Sequence, residues 1–513
     1  MGLNGYLNSL CTISHPYAGP IYIGAPTPKY VGYRNDILPR NQVPECTPLP
    51  ENITPTGSGR FRDALNLSTW NTCVNNAQPG DVIRIINSIP RNLTARGTKY
   101  NLPGGTAVDG TEEDPITVIS VDDSWIDPGD VSNGYNGLEI AGLDHWNVVG
   151  VNVKNSQNGI ALINVEGTES YPVRVARCKV QNIGRAGIIF KGWWQPVVAS
   201  NGVAPIGDGN SYGYSKYILC EKNDITLVGR SSSADGIGIE LGLKGTPGWI
   251  SYANEFIIRY NEISHFTSSG ISPWPGCRNF AIHDNIIRSG AAHDGAPLNL
   301  CYMVSDIDSK PGWMPGDILG YVEGNRVFDL NISETTDISN DYMCMMGMSG
   351  LRIANNLFWA YPDGVSPYNP AIVKQAPKVG TPALADYGTA TTWLRNNLYW
   401  GKGYEDLGYG TFGTPWVWGS FSRINDIYAS GYSGGQHAAT SGDFDGALEA
   451  VGYIDGADNN GWGYGSSFDL ADLSPLVGAG TAFTVADLFI ERDISQRIIP
   501  ASTPNPGPFQ SYL

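Results

Sequence analysis

Five segments of the chain place residues capable of chemistry at the same point of a repeating frame. Each has a Gly at the start of an apolar stretch: Asn158-Gly-Ile, Ala186-Gly-Ile, Asp235-Gly-Ile, Ser269-Gly-Ile and, less closely, Asp294-Gly-Ala. If each Gly opens a short strand, Ile188, Ile237 and Ile271 point inward, and alternation sends the residues two and four places beyond the Gly outward. The fourth-place column then reads Ile163, Lys191, Glu240, Trp274 and Asn299. A cation, a carboxylate, an indole and an amide along one stripe form the kind of surface a sugar chain meets, with flat rings for sugar faces and polar groups for hydroxyls. The insertions beside these strands add Trp193, Trp194, Trp249 and Trp313. With Lys191, Trp274 and Asn299 they are the substrate-binding candidates, although any one Trp taken singly is more simply read as core packing under a folded loop.

Bond cleavage asks more of the same stripe. Glycoside hydrolysis needs two carboxyls at a defined separation, for which Asp235, Glu240 and Asp294 are the catalytic candidates, with Asp306 and Asp308 behind them. Elimination needs a base such as Lys191, Arg288 or His293 to take the proton alpha to a uronate carboxyl. The plainer alternatives are a surface ion pair between Lys191 and Glu240, and a turn role for Asp235 and Asp294 ahead of their glycines. No compact basic pair on adjacent repeats stands out, and the acidic balance fits poorly with a dedicated binder of polyuronates. Acidic turns could hold Ca²⁺ through carboxylate and carbonyl oxygens, but no known ligand spacing is present, so neither a metal nor another cofactor is expected.

These residues need a scaffold, and a second repeat supplies it. The triplet Asn-x-(Ile/Val/Leu) recurs at Asn223, Asn261, Asn285, Asn325, Asn355 and Asn396, and Val151 and Cys178 fit the same frame. The gaps between successive anchors never fall below the 24 residues between Asn261 and Asn285. That floor suits one coil of three short strands and three turns, and longer gaps are the same coil with inserted loops. An Asn repeated at one turn can stack inward and bond the next coil's backbone, with Cys178 as a small buried substitute. An Asn-rich surface turn is the alternative.

Composition agrees with many short strands and turns: of 513 residues 64 are Gly and 34 Pro, only 16% are charged, and Tyr and Trp number 27 and 14. A net charge of −17 argues against nucleic acid or an anionic membrane as partner, since both require clustered Lys and Arg. No apolar run is long enough to span a bilayer, and the first residues lack the pattern of a signal peptide, so synthesis in a cytoplasm is expected. The eight cysteines form no CxxC pair, and free, mostly buried thiols are expected.

The segment DALNLSTWNTCVNNAQPGDVIRI resembles the opening of pectate-lyase-like proteins, where a short amphipathic helix precedes a Pro-Gly-Asp turn and a strand. SFDLADLSPLVGAG, ERDISQRIIP and PNPGPFQSYL resemble the closing segment of the same superfamily. The resemblance implies an all-β fold, a right-handed parallel β-helix with inserted loops, and it includes lyases, hydrolases, epimerases, tailspikes and inert adhesins. The expected organisation is an N-terminal arm over 1–64, the β-helix over 65–430, and C-terminal coils with a cap over 431–513. The first functional expectation is a phage tailspike-like virion protein, a homotrimer joined to other virion proteins through its arm, which binds a host surface polysaccharide and, if catalytic, depolymerises it. A secreted polysaccharide lyase or glycoside hydrolase is the second, and a non-catalytic structural or adhesive β-helix the third.

Overall fold

The computed structural model describes residues 46–98, 105–132, 134–192, 215–231, 236–242, 253–273, 277–288, 290, 297–301, 320–328, 343–346, 351–359, 374–375, 392–395, 397–400, 421–424, 427–429 and 438–439. The segment before residue 46 and the closing motifs beyond 439 lie outside these residues. The chain winds as a right-handed parallel β-helix, as expected. Among the described residues, every coil adds one strand to a 12-stranded first sheet, running from Phe61–Ala64 to Phe421–Ile424, and one or two to a second sheet. All pairings are parallel and link one coil to the next. The second sheet bends along its length. In Asn152–Ile163 and Lys179–Lys191 the strand runs through the bend, whereas later coils break there, as in Asp224–Val228 followed by Ile237–Leu241.

Alternation within each strand turns one set of side chains inward, and register stacks them into aliphatic columns. Val118, Val148, Val175, Cys220, Ile258, Ile282, Val322 and Ile353 form the column of the first sheet. The two halves of the second sheet contribute Val153, Val180, Ile225, Ile263 and Ile287, and Leu138, Ile160, Ile188, Ile239, Ile271 and Leu298. All of them are completely buried. At about 1.5–3 kcal/mol for each aliphatic side chain removed from water, these columns dominate the stability of the solenoid. The lower end is closed by the helix Leu67–Asn75, set by an Asn66/Thr69 capping box, with the indole nitrogen of buried Trp70 donating to Thr94 O at 3.0 Å. The Pro79-Gly80-Asp81 turn and the strand Val82–Ile85 follow, in the order the resemblance implied.

The corner between the sheets follows one rule. The residue entering it is left-handed at Gly150, Arg177, Lys222, Tyr260, Asp284, Gly324 and Asn355, with φ between +54° and +65°. From Arg177 onward the next residue belongs to a ladder, Cys178, Asn223, Asn261, Asn285, Asn325 and Asn356, which Asn397 continues. Each Asn Oδ1 accepts from the backbone N–H of the preceding rung, at 3.0–3.1 Å for Asn261 and Asn285, and each Nδ2 reaches back to a carbonyl, as from Asn285 to Ile258 O at 3.0 Å. The predicted ladder, with Cys178 as its substitute rung, is therefore present. Two anchors are corrected by one residue: Asn356 and Asn397, not Asn355 and Asn396, carry the last two rungs.

Cys73, Cys178, Cys220 and Cys277 are buried free thiols, as expected, but Cys46 is disulfide-bonded. Cys46 begins a segment that crosses the side of the solenoid. The Thr47 N–H donates to buried Glu221, while Arg177 Nε donates to Thr47 O at 2.8 Å. Ile53 packs on Val82, Ile119 and Val149.

Candidate functional site

The outer face of the second half of the second sheet carries the predicted stripe, in a different register. Ala186 pairs with Ile237 and Ile188 with Ile239, so the glycine level with Gly159, Gly187 and Gly270 is Gly238, not Gly236. A Cβ on Gly159, Gly187 or Gly238 would lie 2.3–2.6 Å from the carbonyl oxygen of the next glycine in the column, which is why glycine recurs there. The chain contains Gly236-Ile-Gly238-Ile, and either Gly-Ile step satisfies the sequence pattern. Burial and pairing select the second.

The fourth-place column therefore splits into two rows. The first reads Glu139, Ala161, Ile189, Glu240, Ser272, and Asn299 falls at that level because Leu298 pairs with Ile271. The second holds Ala141, Ile163 and Lys191. Ile239, not Ile237, takes the inward position beside Ile188 and Ile271. Asp235, Asp294, Trp193, Trp194, Trp249, Trp274 and Trp313 lie outside the described residues, as do Asp306, Asp308 and His293.

Glu240 is fully buried and accepts from Arg185, Nη2 to Oε1 at 2.6 Å. The plainer alternative pairs Glu240 with Lys191; the salt bridge seen here reaches Glu240 from Arg185 on the preceding coil. Lys191 stands close by, half-buried. Desolvation lowers its pKa, and Glu240 and Glu139 partly offset this while Arg185 adds to it. Three coils below Glu240, Glu139 accepts from Arg96 Nε at 2.8 Å and from Asn136 Nδ2 at 2.7 Å, and Asn158 Nδ2 donates to Asn136 Oδ1. Between these polar groups Ala141, Ala161, Ile163, Ala186 and Ile189 form an apolar cluster separate from the core. Sequence reasoning missed Arg96, Glu139, Asn136 and Arg185. The outward parity of Glu139 was readable, but the arginines enter from neighbouring positions that column alignment did not follow.

Glu139 and Glu240 are separated by three strand spacings, about 14 Å. The two carboxyls of a glycosidase stand about 5–10 Å apart. They therefore cannot flank one glycosidic bond. What the face combines is an amine depressed by burial, a guanidinium and paired carboxylates over an apolar floor. Among the described residues no group of three His, Cys, Asp or Glu side chains gathers as metal ligands.

No family model and no curated protein matches the chain. Similar solved structures include alginate lyase from Paenibacillus sp. str. FPU-7, at 15% identity and TM-score 0.44, covering 72% of this chain and 99% of that one. They also include pectate lyase Pel9A, at 13% identity and TM-score 0.47, covering 91% and 100%. A third is the Dettilon tailspike protein, at 14% identity and TM-score 0.31, covering 73% and 63%. At such identities the likeness concerns the fold, and the reading of the site rests on this chain's own residues.

Proposed function

We propose that the protein is a tailspike-like virion component that binds a host surface polysaccharide along the outer face of the second sheet. The observation that supports this reading is the row itself. Paired charges and amides at Arg96–Glu139, Asn136–Asn158 and Arg185–Glu240 are separated by apolar side chains. Successive coils rise about 4.8 Å, close to the length of a sugar ring, and the groups a glycan lying along the axis would meet are the partly exposed Arg96, Asn136, Arg185 and Lys191, set over the buried row Glu139, Ala161, Ile189, Glu240 and Ser272. On this reading the N-terminal arm joins other virion proteins and three solenoids stand side by side. A secreted depolymerase remains the alternative assignment for the same face.

If the face is catalytic, Lys191 favours elimination over hydrolysis. Burial destabilises its ammonium form, which raises the neutral fraction able to remove a proton, and the charge of Arg185 acts in the same direction. The base would take the proton alpha to a uronate carboxyl, the electron pair would form a carbon–carbon double bond, and the glycosidic oxygen would leave with the electrons of its bond to the beta carbon.

The test is incubation of the full-length protein with bacterial capsules, lipopolysaccharides and plant or algal polysaccharides. Binding, reducing ends and absorbance of unsaturated products are read together. The proposal expects binding to one glycan class, weakened at least tenfold in Lys191→Ala. Binding to none, or binding indifferent to Lys191, overturns it. Unsaturated product abolished by Lys191→Ala would establish the eliminative reading, and reducing ends without unsaturation would eliminate it.

A further inference from the structure

A second site lies at the ladder corner, away from the glycan-facing row. A cavity of about 580 Å³ opens between the crossing segment at Leu49–Glu51 and the corner residues of several successive coils. Its cations are Arg177, Lys179 and Lys222, and its acids are Glu51, Asp122 and Asp224.

The cations are delivered by the repeat geometry. Arg177 and Lys222 are left-handed corner residues of adjacent coils, with φ of +57° each, and Lys179 follows the Cys178 rung. Arg177 is anchored through its Nε to Thr47 O, which ties the cavity wall to the crossing segment. Lys222 is only 4% exposed, and Glu221, its neighbour in the chain, accepts from Arg259 Nε at 2.8 Å. The acids differ in placement: Glu51 and Asp122 are exposed at the rim, while Asp224 is half-buried and lies in register between Lys179 and Glu262. Lys179 is exposed with Glu51 and Asp122, so the less exposed part of the lining holds Arg177, Lys222 and Asp224.

We propose that this cavity binds a small anionic sugar, its carboxylate received by Lys222, Lys179 and Arg177 and its hydroxyls by Asp224 and Glu51. The volume lies within the range of small-molecule sites, which combine a few convergent polar groups with an enclosing wall. The site is independent of the glycan-facing row, and either can fail without the other.

Titration supports the same arrangement. Burial lowers Lys222 to about 7, with Arg177 and Arg259 lowering it further and Glu221 opposing them. Burial and then Glu262 raise Asp224 to about 6, against Lys179 and Arg288. Glu51 and Asp122 face the same space from the crossing segment and the neighbouring coil. Below pH 6 Lys222 is charged and Asp224 largely neutral, which favours an anion. Above pH 8 Lys222 is largely neutral and Asp224 ionised, which opposes one.

The test is calorimetry on the full-length protein with glucuronate, glucose and inorganic phosphate at pH 6 and pH 8.5. Glucuronate is expected to bind at pH 6 and to weaken about tenfold or more at pH 8.5, with glucose and phosphate clearly weaker. Lys179→Met should weaken glucuronate about tenfold, the loss of one charge-assisted contact. Asp224→Asn should tighten it, and Lys179→Met should leave polysaccharide binding on the outer face unchanged. Thermal unfolding of both variants checks the fold. Equal binding of glucose, phosphate binding as well as glucuronate, no binding at all, or a shift in the same direction in the two variants would overturn the proposal.

Discussion

The ladder corner and the outer face of the second sheet are built on the same coils, yet they use sequence in opposite ways. At the corner one residue type recurs, from Asn223 to Asn397, because every coil presents the same buried N–H and carbonyl to be satisfied. On the outer face the backbone repeats just as strictly, shown by the column of Gly159, Gly187, Gly238 and Gly270, but the side chains read Glu139, Ala161, Ile189, Glu240 and Ser272. Repetition marks what holds the solenoid, and divergence on an identical frame marks where one coil has a task its neighbours lack. Altering a repeated position should cost stability throughout, whereas altering a divergent outward position should change recognition first.

Gly238→Val gives the largest expected effect, because the outer face also has a repeated element. The added Cβ would lie 2.4 Å from Ile263 Cγ2 and 2.5 Å from Gly270 O, and the latter is backbone of the next coil. A loss of about 4 kcal/mol is expected, at the upper end for a single substitution. Urea unfolding followed by circular dichroism checks it. A midpoint close to the parent's would break the comparison, since a repeated glycine would then be dispensable.

Asn285→Ala comes next. The substitution removes the acceptor of the Asn261 N–H and Nδ2 and the donor to Ile258 O, all of them buried. About 3 kcal/mol should be lost, because the stranded groups retain their full desolvation cost. Glycan binding on the outer face should persist at temperatures where the variant is folded. A binding defect without a shift in unfolding would sink the division of labour between corner and face.

These two sites also show how much could be read in the sequence. The ladder was legible because Asn satisfies a need that every coil shares, and its 24-residue minimum gave the coil length. The reading slipped where two Asn stand together. Asn tolerates the left-handed region, so Asn355 takes the corner, with φ +55°, and Asn356 takes the rung. The outer face slipped by two residues for a similar reason, since Gly236-Ile and Gly238-Ile are equally good openings and the loop before them conceals the count. Glu240 and Lys191 stand on outward rows as their spacing implied, but the Arg185–Glu240 and Arg96–Glu139 pairs were not legible because ion pairing crosses between positions. Cys46 was misread because nothing in its spacing announces a partner.

A smaller effect comes from Lys222, which sits at a repeated position but is not a repeated residue. Its folded pKa of about 7 lies below that of an exposed lysine, so the unfolded chain binds its proton more tightly. The penalty is fully present below pH 7 and fades as pH rises from 7 toward 10.5. Lys222→Met should therefore raise the unfolding temperature at pH 6, by the equivalent of about 1 kcal/mol after solvent screening, and by progressively less above pH 8. Equal gains at both pH values would mean that packing, not charge, sets the difference.

Cys178→Asn sharpens the comparison from the other side, since it extends the repeat instead of interrupting it. Cys178 N already donates to Asn223 Oδ1 at 3.0 Å, and its Sγ faces Val148 O at 3.7 Å, where the Nδ2 of a true rung makes its bond. The Val151 N–H, now bonded to the thiol, would meet Oδ1 instead. Two strong bonds would replace two weak sulfur contacts. Against this, the amide is larger than the thiol and the site is completely buried. Because the corner has the same left-handed entry at Arg177 as at Lys222, the room that accommodates Asn223 should also exist here. A gain of about 1 kcal/mol in the urea unfolding free energy is expected. A loss would mean that Cys178 is there because the lower coils pack too tightly for Asn, and that the ladder stops at coil geometry and not at chance.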